Sequence, residues 1–173
     1  KNKIIFALPK GRILKQLSIF FDELNIKFKE SFYEEGCRDI LIRSNYDFLS
    51  AIKVRSFDIV KFVATAGADF GIAGADVISE FSEDEVYVLQ DLNIAKCKLV
   101  LACFSDVLSK PYSRNIVVAS KYSNLAYSFF SSKFIQAQII KLNGSIEIAP
   151  TLGMCNYVVD LVSSGQTLKS NNL

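Results

Sequence analysis

At 173 residues the chain is long enough for one or two α/β units with a real core. Half of it is hydrophobic, and 20 basic residues against 18 acidic ones leave a net charge of +2, which excludes a nucleic-acid track or an anionic-membrane surface as its organising feature. The chain holds no histidine, so imidazole triads are excluded and any general base must be a carboxylate, Lys, Tyr or Cys.

The start, Lys1 to Pro9, has the basic flavour of a signal peptide, but its apolar run is only five residues, so a first strand over Ile4–Leu8 is expected instead. No apolar stretch approaches the roughly 20 residues of a membrane span. Cys37, Cys97, Cys103 and Cys155 form no C-x-x-C pair and have no histidine partners for zinc, which reads as reduced, mostly buried thiols in a soluble cytoplasmic protein.

After the first strand, Ile13, Leu14, Leu17, Phe20, Phe21 and Leu24 recur at helical spacing and predict a helix over Gly11–Leu24. Strands are expected over Asp39–Arg43 and Leu49–Arg55, joined by a turn at Asn45-Tyr46-Asp47. Ser56 is expected to cap a helix over Phe57–Ala66 that Gly67 ends. A short strand over Asp69–Ala73, a short helix over Ala75–Phe81 and an extended exit over Val86–Leu92 complete the first half.

The second half repeats the alternation. Strands are expected over Lys98–Phe104, Asn115–Ser120 and Ala137–Leu142, with a helix over Asn124–Phe134 and a helix capped by Ser145 running to Leu152. A last strand, Tyr157–Val162, leads into a turn and a helix beginning near Gln166. Strand and helix signals alternate throughout, so the fold class is α/β. The expected lobes are 1–92 with 164–173, and 93–163.

The richest segment is that last strand with its turn. Apolar and β-branched, it reads as an interior strand with Asp160 near its carboxyl end, where open α/β sheets place ligands. Ser163, Ser164 and Thr167 offer hydroxyls, Gly165 permits close backbone approach, and Gln166 opens a helix with free N–H groups. These features describe a phosphate cradle with an acidic neighbour, or an ordinary strand-turn-helix.

Other motifs carry charge. Lys10-Gly11-Arg12 directly follows the first strand and brings two cations and a glycine to a helix start, as an anion site or as a solvated basic turn. Arg38, Arg43 and Arg55 lie at strand ends; Arg55, beside a helix start, is the best placed for a bidentate phosphate contact. Gly67 to Asp76 is glycine-rich, suited to a flat ligand such as a base or simply to two tight turns. Glu147 sits in a first helical turn and precedes Asp160 by thirteen residues, so a helix and a return strand could bring the two acids together.

Taken in order, Leu8-Pro9-Lys10-Gly11-Arg12, Cys37-Arg38, Val54 to Ile59, Gly67 to Asp76, Lys96 to Val100, Leu142 to Glu147 with Ala149-Pro150, and Asp160 to Leu168 form a recognisable set. Over essentially its whole length the chain resembles the ATP phosphoribosyltransferases, the first enzymes of histidine biosynthesis. The resemblance implies two α/β lobes like those of a periplasmic binding protein, with the active site in the cleft. It implies that adenine N1 of ATP is joined to 5-phosphoribosyl-1-pyrophosphate, releasing pyrophosphate with Mg²⁺ present on substrate phosphates.

Carried onto this chain, Glu147 and Asp160 would bind the ribose hydroxyls, and Ser163, Ser164, Gly165, Gln166 and Thr167 the 5-phosphate. Lys10, Arg12 and Arg55 would be the cationic partners of pyrophosphate or ATP phosphates. Gly11, Asp69, Gly71, Ala73 and Gly74 would flank the nucleotide. The length resembles the short form, which implies a homo-oligomer or a partnership with a regulatory subunit similar to histidyl-tRNA synthetase. The last residues, Ser170 to Leu173, fall where family members continue, so a longer natural chain is expected. The sequence departs from the family pattern at Cys37, Val60, Asn156 and Ser164. Asn156 replaces a usual acid, expected near the ribose site, while keeping an oxygen acceptor. The alternatives are a two-lobed small-molecule binding protein and a catalytically silent regulatory subunit.

Overall fold

The computed structural model describes residues 3–34, 36, 39–82, 86–108 and 116–173. Cys37, Arg38 and Asn115 lie outside the described residues. The chain divides into two compact units, Lys1–Ala95 and Lys96–Leu173. Each is built around its own four-stranded sheet. No helix among the described residues is long and apolar enough to cross a membrane.

In the first unit, strand β1 (Ile4–Pro9) gives way at Gly11 to helix α1 (Arg12–Glu23). Gly11 has φ 78°, a conformation that disfavours any side chain, so the glycine makes the sharp exit from strand to helix. Leu14, Leu17 and Phe21 recur every three or four positions and are buried. They pack with Leu8, Phe32, Ile42 and Ala51 on one face of the sheet. Ala7 points the other way, into a second cluster with Ile52, Ile59 and Ala68. Neighbouring β1 residues serve opposite faces because strand side chains alternate.

Strand β2 (Leu41–Arg43) pairs antiparallel with β3 (Leu49–Val54), and β3 runs parallel to β1 from Ile4↔Leu49 to Pro9↔Val54. The turn expected at Asn45 is held by its side chain, whose Oδ1 accepts from the Lys27 N–H at 2.7 Å while Nδ2 donates to the Asn25 carbonyl at 2.9 Å. Helix α2 (Ser56–Ala64) follows. Ser56 is its first helical residue and not its cap; Arg55, in extended conformation, holds the cap position without a side-chain bond. Strand β4 is shortened to Phe70–Gly71 and pairs parallel with β1, and α3 spans Ala75–Phe81 as expected. Gly71 is required for packing: a Cβ there would lie 2.6 Å from Ile59 Cγ2 and 2.9 Å from Val63 Cγ2 on α2.

The second unit has strand order β5-β8-β6-β7, from β5 (Lys98–Ala102), β6 (Ile116–Ser120), β7 (Ala137–Lys141) and β8 (Tyr157–Val162). Strands β6, β7 and β8 are mutually parallel where paired, and β5 is antiparallel to β8. Helix α4 (Ser105–Leu108) was not anticipated by the sequence pattern. Helix α5 (Ser123–Ser132) buries Ala126 and Phe130 against Ile116, Val118 and Val159 on one face. On the other face Ile146, Ala149 and Cys155 pack with Ala119 and Val158.

Two expectations differ here. The helix anticipated from Ser145 to Leu152 is a 3-10 turn, Ile146–Ile148, because Ser145 adopts a left-handed conformation (φ 52°) and makes no capping bond. Residues 164–173, expected with the first lobe, carry helix α6 (Gln166–Ser170), and Leu168 and Leu173 pack on the Ala119–Val158 cluster of the second unit.

Lys53 pins the loop after α1. Its Nζ donates to the carbonyls of Phe32 at 2.8 Å and Glu34 at 3.0 Å and lies 5.4 Å from the Phe32 ring centre. Lys53→Met is expected to lower stability by about 1–3 kcal/mol, the usual range for hydrogen bonds from a charged donor. Urea unfolding checks this; an unchanged midpoint would mean that burial of Phe32 alone holds the loop.

Candidate active site

Parallel pairing sends the carboxyl ends of β6, β7 and β8 to one edge of the second sheet. Ser163, Ser164 and Gly165 leave β8 there and turn into α6. Gly165 caps that helix in the left-handed region, with φ 75° and ψ 1°. The Ser164 hydroxyl accepts the Gln166 N–H at 3.4 Å, while Ser163, Gln166 and Thr167 are exposed at the same turn.

Asp160 stands two residues before the end of β8, half-buried, on the sheet face that carries Val158 and the 3-10 turn. Its Oδ1 accepts the Leu161 N–H at 2.8 Å. Burial pushes its carboxyl above the usual carboxylate range, and the nearby Glu147 charge pushes it the same way, while the Leu161 N–H and Lys121 oppose the rise. Glu147, from the 3-10 turn, and Lys121, just past β6, are therefore electrostatic neighbours of Asp160. The proximity of the two acids inferred from their spacing is found. Lys121 was missed, because a lone lysine after a strand carries no motif; only the strand pairing makes it a neighbour.

Asn156 is elsewhere. It precedes β8, its N–H donates to the Val117 carbonyl at 2.9 Å, and its Oδ1 accepts the Val117 N–H at 3.4 Å. Four residues of strand, about 13 Å at the usual rise, separate it from Asp160. The expectation that it lies beside the ribose acids is corrected: it secures the amino end of β8 to β6.

The first sheet has its own carboxyl edge, where β1, β3 and β4 end together. Lys10, Gly11 and Arg12 leave β1 there, Arg55 leaves β3, and Ile72, Ala73 and Gly74 leave β4. Lys10, Arg12 and Arg55 are all exposed at this edge. Asp69 is not gathered with them. It sits at the opposite end, level with Ile5, whose N–H donates to the Asp69 carboxylate at 2.8 Å. Gly71 lies within the sheet under α2, leaving Ala73 and Gly74 as the parts of the glycine-rich segment at the edge.

A hollow of about 420 Å³ lined by Lys15, Asp22, Phe28, Glu30 and Tyr33 contains none of the expected site residues. Burial, then Asp22, pushes the Tyr33 phenol up, so it is neutral at pH 7. Cys103 and Cys155 are likewise pushed up, first by burial, which argues against their use as nucleophiles.

Exposed cations at the carboxyl edge of one sheet, and an acid pair beside a hydroxyl-rich loop at that of another, are the groups that an α/β enzyme of phosphorylated substrates requires. The comparisons narrow this class. Residues 55–173 match the ATP phosphoribosyltransferase family model. An ATP phosphoribosyltransferase of Paramagnetospirillum magneticum is 39% identical over 176 aligned positions, covering 100% of this chain and 80% of that one. One from Rhodospirillum rubrum is 41% identical, covering 99% of this chain and 77% of its own. Among solved structures, the ATP phosphoribosyl transferase (HisG:HisZ) complex from Thermotoga maritima matches with TM-score 0.79 and 28% identity, over 98% of this chain and 79% of that one. The chain belongs to the ATP phosphoribosyltransferase family, the transferases that open histidine biosynthesis. Nothing in these matches supports the binding-protein or silent-subunit alternatives.

The raised Asp160 carboxyl yields a signed prediction. The unfolded chain releases this proton at lower pH than the folded one, so ionising Asp160 costs stability as pH rises through its folded value. Asp160→Asn is expected to melt above wild type at pH 7–8, with the gap closing towards acid pH where both side chains are neutral. Thermal melts across pH check this; a lower melting point at pH 8 would show that the ionised carboxylate is stabilising.

Proposed function

We propose that the chain catalyses attack of adenine N1 of ATP on C1 of 5-phosphoribosyl-1-pyrophosphate, with the second unit holding the phosphoribosyl group. The observation that carries this is the convergence of Glu147, Asp160 and the Ser163–Thr167 turn at one sheet edge. Ionised, the two carboxylates accept hydrogen bonds from the ribose hydroxyls. The exposed hydroxyls of Ser163, Ser164 and Thr167, with the backbone N–H groups of Gly165 and Gln166, surround the 5-phosphate.

Lys10, Arg12 and Arg55, at the carboxyl edge of the first sheet, bind phosphate oxygens of pyrophosphate or ATP. Gly11, Ala73 and Gly74 let backbone approach the nucleotide there. Asp69 and Gly71, also expected at the nucleotide, have structural work in the sheet and are left out of this set.

The chemistry is substitution at C1 with inversion. As pyrophosphate departs, C1 gains oxocarbenium character and the bridging oxygen gains charge, so cations are the main catalytic groups. Holding the substrates in line supplies the rest, and no histidine is needed. Among the described residues no three His, Cys, Asp or Glu side chains converge to cage a metal, and two carboxylates are too few for a bare ion. Mg²⁺ carried on the substrate phosphates fits this donor set and would add charge stabilisation to the leaving group.

The matched Thermotoga maritima chain belongs to a HisG:HisZ complex, which supports a hetero-oligomer with a regulatory subunit similar to histidyl-tRNA synthetase. Work on ATP in amino-acid biosynthesis supports a cytoplasmic location. Mixing the protein with ATP, 5-phosphoribosyl-1-pyrophosphate and Mg²⁺, with and without that subunit, should raise phosphoribosyl-ATP absorbance. Absence of product in both mixtures overturns the reading.

Gly165 tests the loop. A Cβ there would meet only Val162 Cγ1 at 3.7 Å, so crowding is slight and the cost of a side chain comes from φ 75°. Gly165→Ala is expected to strain the turn by about 1–2 kcal/mol and raise KM for 5-phosphoribosyl-1-pyrophosphate, with Gly165→Asn milder because Asn tolerates this conformation. Steady-state kinetics decide; equal KM values in all three proteins would remove the loop from the substrate site.

A further inference from the structure

We propose that Lys121 is a positioning residue for phosphoribosyl transfer, the fixed counter-cation that keeps the Glu147–Asp160 pair available as hydrogen-bond acceptors for ribose. The inference rests on the reading of these acids as the ribose site and adds a residue that no motif marks.

The geometry begins with Ser120, the last residue of β6, which is 0% exposed. Its hydroxyl donates to the Val159 carbonyl of β8 at 2.7 Å and accepts the Tyr122 N–H at 2.9 Å. One side chain thus ties the β6–α5 turn to the strand that carries Asp160. The register pair Ser120↔Val159 makes Lys121 the next residue on its strand path as Asp160 is on its own. Lys121 is half-buried at this turn, within electrostatic range of Asp160.

The other groups around Asp160 do not supply this charge at its level. The 3-10 turn brings Glu147, a second acid. On β5 the residue paired with Asp160 is Val100, and Lys98 is level with Val162, beyond it. From α6, Leu168 packs on this face, and Lys169 is exposed. Two acids sharing a half-buried site resist joint ionisation unless a cation accompanies them. A protonated Asp160 would present a donor where ribose hydroxyls require an acceptor. A lysine clamped through Ser120 supplies that charge without relying on substrate.

The test titrates Asp160 by carbon-13 NMR in full-length protein labelled at Asp side chains, with the signal assigned by Asp160→Asn. It also measures pH profiles of kcat/KM for each substrate in wild type, Lys121→Met, Lys121→Arg, Glu147→Gln and a control, Lys133→Met, at the far end of α5. Lys121→Met should move the Asp160 titration up, the direction expected for loss of a neighbouring cation. The acidic limb of kcat/KM for 5-phosphoribosyl-1-pyrophosphate should move with it, KM for ATP should hold, and Lys121→Arg should restore both.

Glu147→Gln should move the Asp160 titration the opposite way, and Lys133→Met should leave it in place. An Asp160 titration unmoved by Lys121→Met in folded protein overturns the proposal. A titration that moves while the pH limb stays keeps the Lys121 pairing and instead removes Asp160 from the ribose site.

Discussion

Strand β8 is held between an antiparallel neighbour and a parallel one, and the second unit's chemistry depends on that placement. Val158 and Val159 face opposite sides of the sheet and fill two different cores. Any slip of one residue would exchange the faces of every side chain on the strand. The same alternation puts Asp160 on the face of the 3-10 turn, deep enough for its carboxyl to be raised. Its altered acidity is thus a consequence of strand register.

An exposed amide at one end and a buried hydroxyl at the other fix that register. Asn156 exchanges hydrogen bonds with Val117 at the amino end, and Ser120 bonds the Val159 carbonyl towards the carboxyl end. Asn can do both jobs at its position, since its backbone donates while its side-chain oxygen accepts; loss of an acid there does not remove a carboxylate from the neighbourhood of Asp160. The first sheet follows a parallel logic with other residues: Asp69 takes the Ile5 N–H at the amino end, and cations collect at the carboxyl end. In the first unit the structural carboxylate of Asp69 and the candidate ligand cations thus lie at opposite ends of the sheet, whereas in the second unit Ser120 does its structural work beside Asp160.

Much of the fold was legible because its signals are local. The α1 stripe of Leu14, Leu17 and Phe21, the Asn45 turn, the α3 span and β8 itself all follow from periodicity and turn chemistry acting over a few residues. The failures are equally local in origin. Ser56 and Ser145 carry the right side chains for capping, yet backbone conformation gives the cap of α2 to Arg55 and turns Ser145 left-handed. Five residues with one apolar side chain do not reveal where the C-terminal helix docks; Leu168 decides it by packing on the second unit.

The sequence by itself determined the α/β class, the absence of imidazole chemistry, the order of the family motifs and the acid-plus-loop character of the segment from Asp160 to Thr167, since all of these are written in contiguous residues. Tertiary structure alone decided which cation meets the two acids. Lys121 lies far from Asp160 along the chain and becomes its neighbour only because β6 and β8 run parallel in adjacent positions; Asn156 lies close in sequence and is removed because a strand is straight. Spacing along an extended chain measures distance, and strand pairing measures contact, so the electrostatics of the site could be read only once the sheet was formed.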